Sequence, residues 1–293
     1  MYRSHMSSLL VALLLIVTAA VAPARQAAVD PGQLRAQLAA AAPGGSTLRI
    51  DHAAGKVVAT LGAQPSEEFL SLAAAHPGRV SWHIGSGVRP LITARGGWGL
   101  TNPFAAPCTA GFAMKAVNGF NYIVTAGHCV ADGMGTQWNL AGYLLGPGHF
   151  HSFPGNDYGV IMVAYNSPVT THPTLINYNG SGVRVLGTNT PTIGQRLCKS
   201  GNVSGVTCGT VLALDVTVTY HTGEVVNGLI ETAICASPGD SGSPLFRDPG
   251  DRRLIGMGVL SGGNGVRCGD PGVRTYYNPL TEIMAAYGLS LIK

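Results

Sequence analysis

Three short stretches carry residue types that could do acyl-transfer chemistry together. They are Thr125-Ala126-Gly127-His128-Cys129, Asn156-Asp157-Tyr158-Gly159 and Pro238-Gly239-Asp240-Ser241-Gly242-Ser243-Pro244. His128 is a candidate base, Asp157 a candidate orienting carboxylate and Ser241 a candidate nucleophile. A serine hydroxyl alone is a weak nucleophile near neutral pH. It needs an imidazole to take its proton and a carboxylate to hold that imidazole in one tautomer. Gly239 and Gly242 flank Ser241 and let the backbone turn sharply and approach a substrate closely. The chain order His, Asp, Ser is opposite to that of the α/β-hydrolases, where Ser comes first. Asp132 is the rival acid, but Ala131-Asp132-Gly133 reads as a solvent-facing turn four residues past His128. His149 and His151 form a pair without third and fourth ligands at a recognised spacing, so no metal and no cofactor are expected.

The elements that must position these residues read as β-strands. The chain has 293 residues, 41 of them Gly, and only 11% are charged. Short apolar runs separated by Gly, Asn and Pro predict an all-β body. Tyr122-Ile123-Val124 leads into the His128 block, and Tyr158 to Val163 follows Asp157. Thr210 to Tyr220 and Leu254 to Leu260 are further strands, and Pro279 to Tyr287 has helical spacing that stops at Gly288. Residues 25 to about 94 have another texture. An Ala-rich helix from Pro31 to Ala42, a hairpin from Leu48 to Leu61 and a helix capped by Ser66 and ended by Pro77-Gly78 predict a small α+β unit.

Charge, leader and cysteines narrow the class. Residues 1–95 carry eight Lys/Arg against four Asp/Glu, while residues 96–293 carry ten of each. The net charge of +4 therefore lies wholly in the first third, and no basic run or basic-aromatic stripe supports nucleic-acid binding. Arg3 and His5 precede an apolar run from Leu9, and Ala22-Pro23-Ala24 has the small-x-small form of a signal-peptidase site. Leu9 to Ala22 is 14 residues, short of the roughly 20 that a membrane anchor needs. Residues 1–24 are thus expected to be a cleaved secretory signal, leaving an extracellular protein with no membrane attachment. Six cysteines fit an oxidising compartment, and none lies in a Cys-x-x-Cys pair. Six allow 15 connectivities. The expected one is sequential: Cys108–Cys129, Cys198–Cys208 and Cys235–Cys268, with the middle pair closing a turn-rich hairpin.

From about residue 95 onward the motifs resemble the chymotrypsin-like serine proteases, most closely the secreted bacterial branch of streptogrisins and α-lytic protease. Thr-Ala-Gly-His-Cys at 125–129 and Gly-Asp-Ser-Gly at 239–242 carry the resemblance. Ser152 to Gly159, Cys198-Lys199-Ser200-Gly201, Cys208-Gly209-Thr210, Val259 to Gly263 and Tyr287 to Leu291 extend it. The resemblance implies two six-stranded antiparallel β-barrels with a C-terminal helix and a cleft between the barrels. Residues 25–95 would then be a pro-region, acting as chaperone or inhibitor, and 96–293 the protease, with self-cleavage near 94–96.

The same resemblance assigns the oxyanion hole to the N–H groups of Gly239 and Ser241, and substrate-strand pairing to Ser261 and Gly263. It forms the specificity pocket from Ala233-Ile234-Cys235-Ala236 and Leu260 to Gly263. Neither wall carries an acid or a histidine, so a buried charged substrate side chain would lack a partner. Cleavage of polypeptides after uncharged, apolar residues by a monomeric enzyme is expected. Asp240 is expected to pair internally with an arginine, Arg184 or Arg196. Ser243 departs from the commoner glycine, which a small residue should tolerate. The non-catalytic alternative is a binding protein on an inactivated protease scaffold, which typically lacks one of the three reactive residues; all three are present.

Overall fold

The computed structural model describes residues 29–88, 92–176, 181–250, 253–265 and 268–292. The expected signal, residues 1–24, lies outside them. The chain divides into two compact units at Val88 and Arg89.

The first unit holds helices α1 (Pro31–Ala41) and α2 (Glu67–Ala75) and strands β1 (Thr47–Asp51), β2 (Lys56–Leu61) and β3 (Val80–Ile84). Asp30 caps α1 by accepting from Gln33 N at 3.0 Å, with Pro31 in the first turn. Ser66 caps α2 by accepting from Phe69 N at 3.1 Å, and Glu67 and Glu68 sit at its positive end. The expected hairpin is β1 paired antiparallel with β2. Strand β3 was not foreseen; it pairs parallel with β2 after the α2 crossover. Val57, Ala59 and Leu61 alternate inward from β2 and pack on Leu34, Leu38 and Phe69.

The second unit is built almost wholly of strands. They are β4 (Ile92–Gly96), β5 (Gly99–Asn102), β6 (Ala105–Thr109), β7 (Ala113–Ala116), β8 (Asn121–Thr125), β9 (Gln137–Leu140), β10 (Tyr143–Ser152) and β11 (Tyr158–Met162). Then come β12 (Val169–Ile176), β13 (Gly182–Thr188), β14 (Arg196–Gly201), β15 (Gly205–Thr219), β16 (Val225–Thr232), β17 (Pro244–Arg247), β18 (Arg253–Gly263), β19 (Thr275–Pro279) and β20 (Leu289–Leu291). Helix α3 (Gly127–Asp132) follows β8, and α4 (Leu280–Tyr287) follows β19. Gly288, in the left-handed region at φ 59°, ends α4 where the sequence placed its stop.

Two sheets form the two barrels. The first has the order β20-β7-β8-β11-β10-β9-β5-β6. In the second, β17, β14, β15, β16, β19 and β18 close a six-stranded ring, because β17 pairs with both β14 and β18. Strands β13, β12 and β4 extend from β18. Ile123, Trp138, Leu140 and Ile161 fill the first barrel. Leu197, Val211, Leu245, Met257 and Tyr277 fill the ring. A third core joins the two sheets through Val124, Tyr158, Val160, Phe246 and Val259. Burial on both faces explains why Tyr122-Ile123-Val124 reads as an unbroken apolar run rather than an alternating one.

All three cysteine pairs form in the expected sequential order. Cys198 and Cys208 face each other directly in the β14–β15 register.

Candidate active site

Strand register brings His128 and Asp157 together. Strands β8 and β11 are antiparallel neighbours with Thr125 opposite Gly159. The residues just past the end of β8 therefore meet the residue just before β11. Gly127 makes this approach possible. A Cβ there would fall 2.6 Å from Ser152 O and 2.8 Å from Tyr158 N, closer than carbon can pack. The Cys108–Cys129 disulfide ties the turn bearing His128 to β6.

Asp157 is fully buried and grips His128 twice. One carboxylate oxygen accepts from His128 N at 2.8 Å, and the other lies 2.8 Å from His128 Nδ1. Ser261 Oγ donates to that second oxygen at 2.5 Å, and Asp157 N donates to Asn278 Oδ1 at 2.7 Å. The His128 side chain keeps 33% of its surface exposed, so its outer ring edge reaches solvent. Burial alone would depress the imidazolium. The hydrogen bond and charge of Asp157, aided by Asp132, outweigh it and raise His128 above its usual 6.5. Asp132 itself is exposed, as its turn signature implies.

The Ser241 loop is held from both barrels. Ser241 O accepts from Thr109 N at 2.7 Å, and Thr109 Oγ1 donates to Gly239 O at 2.8 Å, both from β6. Gly242 N donates to Leu260 O at 2.8 Å, on β18. Gly242, at φ 86°, lies against the end of β8, where a Cβ would come within 2.9 Å of Ala126 N. This sets the Ser241 turn beside the residues leading into His128. No hydrogen bond joins Ser241 Oγ to His128 among the described residues; in unliganded sites such bonds are often long and tighten with substrate.

Within the loop, the N–H groups of Asp240, Gly242 and Ser243 all find internal acceptors. Those of Gly239 and Ser241 find none among the described residues, which leaves two donors on the same turn for a ligand. Ser243 is buried and donates to Asp240 O at 2.5 Å, so the residue that departs from the common glycine is accommodated by a hydrogen bond.

Asp240 does pair internally, but not with an arginine. Its partner is Lys199, with Nζ 3.1 Å from Oδ2 and both side chains without exposed surface. Arg184 and Arg196 are exposed on their strands. Along β14 Arg196 is exposed, while Leu197 to Gly201, with Lys199 among them, are buried. Asp240 also accepts from Val203 N at 2.9 Å, Ser204 N at 3.2 Å, Ser237 N at 3.0 Å and the Ser204 hydroxyl. Burial would raise its carboxyl. Ser204, Lys199 and the backbone donors together hold it below the usual carboxylate value.

A cleft of about 170 Å³ opens beside Ser241, lined by Ala236, Ser237, Pro238, Leu260, Gly262, Gly263 and Gly265. Ala236, Leu260 and Gly263 are among the residues expected there. Ile234 does not; it is fully buried in the core of the ring. Ser261 turns its side chain inward to Asp157 rather than into this cleft. A second cleft, of about 280 Å³, is lined by His128, Phe153, Tyr220, Glu224 and Ser261. Sequence reading missed Tyr220, Asn278 and Lys199.

The family profile described as Trypsin matches residues 101–286. Streptogrisin-D of Streptomyces griseus is 41% identical over 185 residues, or 63% of this chain, and the match spans 44% of that protein's length. Glutamyl endopeptidase 2 of the same organism is 34% identical, covering 63% of this chain and 92% of its own. A solved Nocardiopsis protease (NAPase) superposes with a TM-score of 0.60 at 33% identity, covering 69% of this chain and all of that one. No helix among the described residues is long and apolar enough to cross a membrane.

Proposed function

We propose that this chain, which belongs to the trypsin family, is a secreted serine endopeptidase that works through an acyl-enzyme. The observation that carries the reading is the double grip of buried Asp157 on His128, beside a loop that offers two unused backbone donors.

His128 Nε2 takes the proton from Ser241 Oγ as that oxygen attacks the scissile carbonyl carbon. The carbonyl becomes a tetrahedral oxyanion, which accepts from the N–H groups of Gly239 and Ser241. Such donors act where charge develops and are commonly worth about 3–4 kcal/mol each. Asp157 stays ionised, fixes the ring and stabilises the imidazolium. His128 then protonates the leaving amine, and the C–N bond breaks to leave an ester on Ser241. A water molecule, deprotonated by His128, hydrolyses the ester and restores the hydroxyl. The backbone of Ser261 to Gly263, ending β18, would pair with the extended substrate and hold the carbonyl in place.

The cleft beside Ser241 would receive the side chain preceding the scissile bond. Among the described residues, none that line it carries a charge. A charged group buried there would have no partner, so uncharged and apolar residues are preferred. One relative is named as a glutamyl endopeptidase, but among the described residues no histidine or basic side chain lines this cleft to hold a carboxylate. Residues 25–95 would act as a pro-region, removed by the enzyme itself near 94–96, and the mature enzyme would be monomeric and extracellular.

Peptide anilides differing only at the position before the scissile bond test the reading. Hydrolysis should be fastest after Phe, Leu or Met and at least tenfold slower after Arg or Glu. Preference for either charged residue would overturn the specificity, and no hydrolysis of any substrate by the matured protein would overturn the activity. Expression of the precursor beside Ser241→Ala tests self-maturation; identical processing of both would contradict it.

A further inference from the structure

The end of β18 serves two different clefts. Ser261 lines the 280 Å³ cleft with His128, whereas its neighbours Leu260 and Gly262 line the 170 Å³ cleft with Ser241. A substrate strand laid along β18 shares the two faces of that strand, and its side chains alternate between them. The side chain next to the scissile bond enters the smaller cleft. The side chain one residue further from the bond therefore faces the larger one.

The larger cleft is built without a substrate. Phe153 comes from the loop between β10 and β11, and Glu224 from the turn that joins β15 to β16. Gly155 N donates to Val225 O at 2.8 Å and Asn227 N donates to Gly155 O at 2.9 Å, which ties that loop to β16. Tyr220 N donates to Glu224 O at 2.9 Å and closes the turn. The rings of Phe153 and Tyr220 supply apolar wall, and Glu224 is the only carboxylate among the described residues that line the cleft. The Thr222 hydroxyl donates to this carboxylate and, with a backbone donor, holds it below the usual carboxylate value. No Lys or Arg among the described residues forms an ion pair with it.

We propose that Glu224 is a specificity-determining residue, which makes this cleft select a cationic side chain, Lys or Arg, at the second position before the scissile bond. The long stem of such a residue covers apolar ring surface while its charged head stays at the wet rim. There the head meets a carboxylate that has no other cation, and a planar guanidinium matches its two oxygens. The two clefts thus ask for different chemistry at adjacent substrate positions: uncharged beside Ser241, positive beside Glu224. His221 shares the rim and opposes a cation only when protonated, so rates are compared at one alkaline pH. The inference rests on the reading that His128, Asp157 and Ser241 cleave a substrate strand paired with β18.

Three peptide anilides test it on the mature enzyme. They differ only at that second position, which holds Arg, its uncharged isostere citrulline, or Glu. In the parent enzyme kcat/KM should be about three- to fivefold higher for Arg than for citrulline, the scale of a partly exposed ion pair, and lowest for Glu. Added salt should shrink the advantage of Arg. Glu224→Gln should bring Arg within about twofold of citrulline, and Glu224→Lys should place Glu ahead of Arg. Each ratio is internal to one protein, so partial loss of fold in a variant cancels. Two outcomes overturn the inference and leave the protease reading intact: Arg no faster than citrulline in the parent, or an advantage of Arg that survives in Glu224→Gln. No hydrolysis of any of the three by the parent would instead overturn the catalytic reading.

Discussion

Lys199 and Asp240 form an ion pair at 3.1 Å with neither side chain exposed, one residue away from Ser241. Lys199 also donates to Ser204 Oγ at 2.5 Å and to Gly205 O at 3.1 Å. Every donor of the ammonium is thus satisfied, which is the condition for burying such a pair at tolerable cost. Asp240 in turn draws in the backbone of residues 203, 204 and 237, and so shapes the loop that presents the two unused N–H groups.

Lys199→Met should destabilise the protein by about 3–5 kcal/mol, because it leaves a buried carboxylate without its counter-charge. Denaturant unfolding checks this. Activity should fall as well, since the loop bearing Ser241 loses its anchor. An unchanged unfolding midpoint would contradict the role given to the pair.

The pH dependence has a definite sign. His128 must be neutral to accept a proton, and Asp157 raises its protonation midpoint above 6.5. Turnover should therefore rise with pH through a midpoint above 6.5. In Asp157→Asn both raising contributions of that residue vanish, while burial and the smaller contribution of Asp132 remain, so the midpoint should move down. Turnover should also fall by about 10⁴, because the amide favours the wrong tautomer. A pH–rate profile of both proteins decides the matter. For stability, the raised His128 contributes fully below 6.5 and its contribution is lost as pH rises through the folded value. Asp240, held below 3.8, contributes above that value, and its contribution is lost as pH falls through its lower folded midpoint.

Gly127→Ala should damage the site without touching a reacting atom. The added methyl would meet Ser152 O and Tyr158 N at 2.6 and 2.8 Å, both backbone and neither able to swing away. A shift of about 1 Å in the His128 turn is enough to cost about a hundredfold in kcat/KM. Gly135→Ala is a control at a glycine with open space around it, at φ 72° and outside the site. It should lower stability modestly and leave kcat/KM nearly unchanged.

The parts of the site legible in the sequence were those written as consecutive residues. His128, Asp157 and Ser241 each sit in a block whose neighbours serve the same local turn, so residue types, chain order and the shared motifs mark them as candidates. The cysteines paired as expected because Cys198 and Cys208 fall opposite each other across one hairpin. The two helices of the first unit were visible, one through its Ala-rich run from Pro31 and the other through its cap at Ser66. What stayed hidden were side chains that act across long separations. Asn278 reaches Asp157 over 121 positions, and Tyr220 reaches Ser261 over 41. No local pattern marks either one. Lys199 was missed for another reason. A lysine on a strand reads as a solvated charge until the facing carboxylate is known, and the choice of Arg184 or Arg196 for Asp240 rested on resemblance rather than strand alternation. Ile234 was placed in the specificity pocket by resemblance, as part of the wall Ala233-Ile234-Cys235-Ala236. It belongs instead to the core packed around Tyr277.

The most direct test of the reaction scheme is covalent labelling of the matured protein with a serine-directed fluorophosphonate, read by peptide mass spectrometry. The expected result is a single adduct on Ser241, absent in Ser241→Ala and strongly slowed in His128→Ala. Peptide hydrolysis that survives in Ser241→Ala, or a parent protein that takes no label at Ser241, would contradict it.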